Sequence, residues 1–245
     1  TSAMSIRAVV FDLYGMLTED LGRDGYDALL RQMAAVLLLS ADGFSAAWCQ
    51  VGRRLTTGGF ATLEEGLTHI CNVLGTQADA ERIEAAVELR VGYIRANLRP
   101  RDDAVETLTR LKSLGLKIAL ISDCGTEVPM LWSETPFAPL VDTALFSSRE
   151  GLCKPAAALY LRACERLGVL PEECLYVGDG NGQELSGAKA VGMTAVLIAV
   201  PGAVHYDYGR LEAASWQGPR VAALSDLMNL VDYNFSGTSS KKKRL

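Results

Sequence analysis

The chain has 245 residues, 49% of them hydrophobic and 7% aromatic, with a formal net charge of -5. That length holds one good core, or one core with a smaller companion unit, and the acidic balance argues against a general nucleic-acid binder. The apolar stretches are too short or too broken to span a bilayer: Ala34 to Leu39 is brief, and Ala195 to Val204 is interrupted by Pro201 and Gly202.

Thr1-Ser2-Ala3 before Met4 read as extraneous residues, and no charged-then-apolar leader follows, so no secretion signal is expected. Ala8 to Phe11 is a continuous apolar run, expected as a strand buried on both faces. It hands Asp12 into a turn in which Gly15 can take backbone angles that other residues avoid. A carboxylate fixed at the carboxyl end of a central strand is a candidate nucleophile. From about residue 20 to 98 the strand signal is absent. Tyr26, Leu29, Leu30, Met33 and Leu37 recur at helical spacing, as do Ile83, Val87, Val91, Ile94 and Leu98. Thr57-Gly58-Gly59 breaks two helices apart and Gly75 ends one. This block reads as a helical bundle of about 80 residues, large enough for a minor core of its own.

After Pro100, strand and helix signals alternate. Asp102 or Asp103 caps a helix carrying Val105, Leu108 and Leu111, which Gly115 ends. Lys117 to Ile121 is a strand delivering Ser122 and Asp123, and Thr143 to Phe146 forms another. Lys154-Pro155 opens a helix closed by Gly168. Cys174 to Val177 delivers Gly178-Asp179-Gly180, a helix runs from about Glu184 to Val191, and Thr194 to Val200 is a final strand. Repeated strand-helix-strand units mean a parallel sheet covered on both faces, with ligands at the carboxyl ends of its strands.

Cys49, Cys71, Cys124, Cys153, Cys164 and Cys174 are scattered, with no C-x-x-C pair. They read as reduced, buried thiols of a cytoplasmic protein. His69 and His205 match no ligand spacing, and Trp48, Trp132 and Trp216 read as packing aromatics. The span Pro201 to Pro219 is long and irregular for a compact domain, and a subunit contact or a pocket edge would account for it. The basic end, Lys241 to Arg244, reads as a solvated tail.

Four elements stand in order: FDLYGMLTED around Asp12, LISDC around Ser122, and a long stretch from FSSREGLCKP to YVGDGNGQELSGAKAVGM that carries Lys154, Asp179 and Glu184. Together they resemble the haloacid dehalogenase superfamily of hydrolases. The resemblance implies an α/β fold: a Rossmann-like parallel sheet core, residues 4–19 and 99–235, with a helical cap domain over 20–98. Residues 1–3 and 236–245 are expected to be disordered or extraneous ends.

The resemblance also implies roles. Asp12 is the nucleophile that accepts a phosphoryl group. Lys154 neutralises it and Ser122 donates to a phosphoryl oxygen. A Mg2+ ion is held by Asp12, the Tyr14 carbonyl and Asp179, while Glu184 orients metal-bound water. Tyr14, Asp123 and Cys124 are the candidate substrate-binding residues, with packing against the cap the alternative for Tyr14 and capping of the following loop the alternative for Asp123. Family phosphatases carry a second aspartate where this chain has Tyr14, and its loss weakens acid-base catalysis. The Asp-x-Tyr-Gly loop is similar to the dehalogenase branch, which displaces halide from 2-haloacids without metal. That branch, however, lacks the metal-binding aspartate at Asp179 and usually has Ser-Asn where this chain has Ser122-Asp123. A magnesium phosphatase acting on a small phosphorylated metabolite is the expectation. A 2-haloacid dehalogenase and a non-catalytic binding protein are the alternatives. No nucleic-acid or membrane partner is expected, and oligomeric state is not readable.

Overall fold

The computed structural model describes residues 5–19, 21–199 and 211–231. Six parallel strands form one sheet in the order β3-β2-β1-β4-β5-β6: β1 (Ala8–Phe11), β2 (Lys117–Ser122), β3 (Thr143–Phe146), β4 (Cys174–Gly178), β5 (Thr194–Ile198) and β6 (Arg220–Val221). The strand β1 lies between β2 and β4, with Phe11 opposite both Leu120 and Val177. Its four residues are all buried, as expected of a strand covered on both faces. The chain order reverses beside β1, so a crevice opens at the carboxyl ends of β1, β2 and β4, where such sheets hold ligands.

Alternating side chains divide the sheet between two clusters. Val9, Phe11, Ile118, Leu120, Leu175 and Val177 face one way, while Ala8, Val10, Ala119, Ile121, Tyr176 and Leu197 face the other. The first face is covered by α5 (Ala104–Ser113) and α6 (Glu127–Leu131), with α7 (Ser147–Glu150) just after β3. The second is covered by α8 (Ala157–Leu167) and α9 (Glu184–Ala190).

Four helices lie between β1 and α5: α1 (Arg23–Val36), α2 (Ala41–Thr56), α3 (Leu63–Val73) and α4 (Ala80–Asn97). They enclose a third cluster that includes Leu30, Met33, Leu37, Phe44, Leu67 and Ile70. The caps explain their starts. Ser40, Thr62 and Asp79 each accept a hydrogen bond from a backbone N–H of the first turn. The apolar stripe along α4 is split. Ile83 and Val87 pack in the helical cluster, whereas Val91, Ile94 and Leu98, just beyond the helix, pack on the sheet cluster. Helix α4 therefore joins the two units along its own length.

Several boundaries differ from the sequence expectation. Asp103 precedes α5, but its carboxylate does not cap that helix; it accepts from the Leu224 N–H at 2.9 Å instead. Pro155 does not open α8, which begins two residues later at Ala157, and the Lys154–Pro155 peptide is cis. The two-residue β6 carries too little pattern to be read from sequence. Of the span Pro201 to Pro219, residues 201–210 lie outside the described residues, and α10 (Leu211–Ser215) leads into the buried Trp216. His205 and the ends at 1–3 and 236–245 also lie outside them. No single helix among the described residues is long and apolar enough to cross a membrane.

Candidate active site

Three strand ends and one loop converge. Asp12 follows β1, and its N–H donates to the Val177 carbonyl at 3.0 Å. Ser122 closes β2, Asp179 follows β4, and Lys154 lies in the loop before α8. Carboxylate oxygens of Asp12, Asp179 and Glu184 all lie within 4.8 Å of one another, and all three residues are buried. The Lys154 Nζ reaches between two of them, donating to Asp12 Oδ1 at 2.5 Å and to Glu184 Oε2 at 2.7 Å.

Glu184 opens α9, yet it does not act as an ordinary first-turn acid. Its side chain is fully buried and accepts four hydrogen bonds: Asp179 N–H at 2.8 Å, Gly180 N–H at 3.0 Å, Tyr176 OH at 2.8 Å and Lys154 Nζ at 2.7 Å. Two local features place it there. A Cβ at Gly178 would lie 2.3 Å from Glu184 Oε1, so only glycine lets the carboxylate lie against the end of β4. Gln183 takes a left-handed conformation, φ 59°, that turns the chain into α9. With all four lone-pair directions engaged, Glu184 organises the Asp179 backbone and Lys154.

Electrostatics follow from burial. The Asp12 carboxyl is pushed up to about 7, by burial first and by Glu184 as well, against the downward pull of Lys154. Burial alone would discharge Lys154, but Asp12, Glu184 and Asp123 hold its ammonium well above the usual lysine value. The cluster thus sets three carboxylates against one ammonium. Buried charge of one sign needs a counter-charge, and these donors are the hard oxygens that a divalent cation such as Mg2+ takes. The residues present fit that ion.

Asp123 holds the lysine loop: both its oxygens accept from the Lys154 N–H, at 3.1 and 3.2 Å. Burial raises its carboxyl above the usual range. The Ser122 hydroxyl is buried and without a hydrogen-bond partner. Cys124 departs from expectation. It packs in the sheet cluster, its N–H is taken by Ser147 Oγ at 2.9 Å, and it lines neither large cavity described below. Burial, then the Glu127 carboxylate, push its thiol far above the usual value. Its side chain is buried in the sheet cluster, near Ser122 and Glu127.

Tyr14 turns away from the carboxylates toward the helical unit. Its hydroxyl is buried without a partner, and burial, above all, pushes it far above the usual phenol range. It therefore stays protonated and cannot serve as a base at neutral pH.

A cavity of about 470 Å³ lies between α2, the following loop, α4 and the turn after β2. Tyr26, Trp48, Phe60, Arg90, Asp123 and Glu127 are among its lining residues. Asp123 is thus the link between this space and the Lys154–Asp12 pair. A neighbouring cavity of about 400 Å³ shares the walls Phe60, Thr62, Leu63, Thr126 and Glu127. Sequence reasoning missed Arg90 and Glu127, whose Nε–Oε1 contact of 2.7 Å is a buried ion pair between α4 and α6. The signal for Arg90 was present: Ile83, Ala86, Arg90 and Ile94 share one buried face of α4, so a charge stands where the period calls for an apolar residue. Tyr176, which also holds Glu184, passes in sequence for an ordinary strand aromatic. His69 lies away from the site beside Arg54, and Trp132 packs against Phe137 and Phe146.

The family model described as haloacid dehalogenase-like hydrolase matches residues 6–192. The chain is 31% identical to (S)-2-haloacid dehalogenase 4A of Burkholderia cepacia, over 94% of this chain and 96% of that one. It is 30% identical to the glyceraldehyde 3-phosphate phosphatase of Methanocaldococcus jannaschii, over 56% of this chain and 58% of that enzyme. The fold is shared with the crystal structure of a 2-haloacid dehalogenase from Pseudomonas syringae pv. Tomato: TM-score 0.69 at 21% identity, covering 93% of this chain and 99% of that one.

Proposed function

The chain belongs to the haloacid dehalogenase-like hydrolases, and on that premise we propose that it is a magnesium-dependent phosphatase of small organic phosphate esters. The observation that carries this reading is the buried set Asp12, Asp179 and Glu184 with Lys154 as its ammonium. A halide displacement needs one carboxylate and no metal. Nothing in that chemistry calls for a further buried acid at Asp179 beside Asp12.

In this reading an oxygen of Asp12 attacks phosphorus, the ester O–P bond breaks, and the leaving oxygen takes a proton from water. Water then cleaves the aspartyl-phosphate, releasing inorganic phosphate and restoring the carboxylate. Lys154 keeps Asp12 ionised and oriented, and Asp123 fixes the loop that carries Lys154. Ser122 Oγ, which lacks a protein partner, is the donor for a phosphoryl oxygen. Asp12, Asp179 and the Tyr14 carbonyl would hold Mg2+, which supplies charge neutralisation for the phosphoryl oxygens. Glu184 holds Lys154 and the Asp179 backbone in place. Residues 20–98 act as the cap, and 4–19 with 99–235 as the catalytic core. Free cysteines, including Cys164 and Cys174 with sulfurs 3.7 Å apart, support a cytoplasmic setting.

Because Tyr14 supplies no acid-base pair, esters with good leaving groups are the better substrates. Para-nitrophenyl phosphate should be hydrolysed with Mg2+ and spared when a chelator is present. Chelator-insensitive turnover would sink the metal-dependent reading. One observation favours a second reading: the Asp12-x-Tyr14-Gly15 loop, together with the dehalogenase relative that matches nearly the whole chain. Halide release from 2-chloropropionate in chelator tests it, and no release removes it.

A further inference from the structure

Two cysteines outside the site meet beneath the sheet. Cys164, on the buried face of α8, and Cys174, the first residue of β4, bring their sulfurs within 3.7 Å. Both belong to the cluster on the second face of the sheet, and both thiols are free. The other four cysteines lie elsewhere. Cys49 is exposed on α2, Cys71 packs in the helical cluster, Cys124 packs on the first face of the sheet, and Cys153 Sγ lies 3.6 Å from the Thr56 hydroxyl. A disulfide has sulfurs roughly 2.05 Å apart, so this pair needs an approach of about 1.7 Å to close.

Local structure presents the two sulfurs to each other. The Val169 N–H returns to the Cys164 carbonyl at 3.1 Å. The Leu170 N–H donates to the Glu173 carboxylate at 2.8 Å, and the Glu173 N–H returns to the Leu170 carbonyl at 3.0 Å. Cys174 itself is held in register beside Ala8 of β1. The sulfurs are not equivalent. The Cys174 thiol donates to Cys164 and holds that thiol below its ordinary value, while the same contact and then burial hold Cys174 far above its own. Cys164 is therefore the first to become a thiolate, which is the reactive form. It is 3% exposed and Cys174 is fully closed. So little surface excludes a bulky oxidant such as oxidised glutathione and favours hydrogen peroxide, which has only two heavy atoms.

We propose that Cys164 and Cys174 are a peroxide-responsive modification site, which closes to a disulfide and fastens α8 to β4. The Cys164 thiolate attacks one peroxide oxygen, the O–O bond breaks, and hydroxide leaves and takes up a proton as water. The Cys174 sulfur then attacks the resulting sulfenic sulfur, the S–O bond breaks, and the hydroxyl leaves with the Cys174 proton as a second water. Two thiols and one peroxide thus give one disulfide and two waters. The bond forms at the amino end of β4, whereas Asp179 follows its carboxyl end, so it strengthens the fold away from the crevice. Nothing in this proposal rests on the phosphatase reading.

The test starts from the fully reduced chain. Hydrogen peroxide is added to one sample and oxidised glutathione to another, remaining thiols are alkylated after unfolding, and the cysteine peptides are mapped by mass. Peroxide should join Cys164 to Cys174 in larger yield than any other cysteine pair, and a reductant should reverse it. Oxidised glutathione should modify the exposed Cys49 and leave this pair reduced. The cross-linked chain should unfold at higher urea than the reduced one, because the bond constrains the unfolded chain. Cys174→Ser should stop the reaction at a Cys164 sulfenic acid, trapped by dimedone, where circular dichroism shows a native fold; if it does not fold, the wild-type map decides. Oxidation of Cys49 with no Cys164–Cys174 bond, a larger yield of another pair, equal cross-linking by oxidised glutathione, or a urea midpoint that falls on oxidation overturns the proposal.

Discussion

Glu184→Gln changes one atom type at the centre of the cluster, and its effect can be worked from the contacts. The carboxylate accepts from Asp179 N–H, Gly180 N–H, Tyr176 OH and Lys154 Nζ. An amide offers an oxygen to one pair only. If the oxygen keeps the two backbone N–H groups, the amide NH2 faces Lys154, which has no lone pair, and Tyr176, which must turn to accept. The charge-assisted bond to Lys154 is then lost, at about 1.5–3 kcal/mol. If the amide flips, two buried N–H groups are orphaned, each at about 1–3 kcal/mol. The first arrangement is the cheaper. Removing a negative charge beside Asp12 offsets part of the loss, because Glu184 pushes that carboxyl upward. The net expectation is a loss of about 2 kcal/mol, or roughly 4–8 °C in Tm for a chain of this length. Urea unfolding in chelator reads it as a lower midpoint at unchanged slope. Tyr176→Phe alone should lose about 1 kcal/mol, and the double variant should lose less than the sum, since both changes act on Glu184 Oε2. A Glu184→Gln midpoint within about 0.5 kcal/mol of wild type would refute the claim that this carboxylate organises the site.

Magnesium should stabilise the protein. At a hundredfold excess over its Kd the gain is about 2.7 kcal/mol, read as a rise in Tm. Asp179→Asn should abolish that rise, and no rise in wild type would dismiss the cation site. Tyr14→Asp should raise turnover of alkyl relative to aryl phosphates by about tenfold or more; an unchanged ratio in competing substrate assays counts against the assigned geometry. Gly58→Ala tests how the α2–α3 loop seats on the core. Gly58 has φ +69° and a Cβ there would lie 2.6 Å from the Ser148 carbonyl oxygen, whereas Gly75 has φ +73° and open space around it. Both substitutions carry the left-handed penalty of about 1–2 kcal/mol. Gly58→Ala should lose measurably more in urea unfolding, and equal losses would show that the contact with Ser148 is unimportant.

The parts of this architecture that were legible in sequence are those set by short-range pattern. Strand β1 reads as a strand because four apolar residues precede Asp12, and the same holds for β2, β4 and β5. Strand ends fix which side chains reach the crevice, so Asp12, Ser122 and Asp179 could be named from the chain alone. Pairings across long separations were not legible. Asp103 reads locally as a helix cap, and only the fold reveals Leu224 as its partner. Cys124 reads as a substrate contact because it follows Ser122 and Asp123, yet its side chain is buried in the sheet cluster. Arg90 and Glu127 carry signals too weak to be paired, since helices α4 and α6 are brought together by packing alone.

This division has a mechanistic reading. The reacting groups hang on strand ends, whose backbone is pinned by neighbouring strands on both sides. The cavity wall hangs on α2, α3 and α4, which rest on their own cluster and meet the sheet unit through the carboxyl-terminal part of α4 and the loop after α2. Substitutions at Tyr26, Trp48 or Phe60 can reshape the cavity without moving the carboxylates, because none of these touches the bonds that hold Asp12, Lys154 or Glu184. Tyr14 belongs to both sides. Its backbone continues the turn that carries Asp12, and its hydroxyl is buried near Cys124, Arg90, Glu127 and Tyr26.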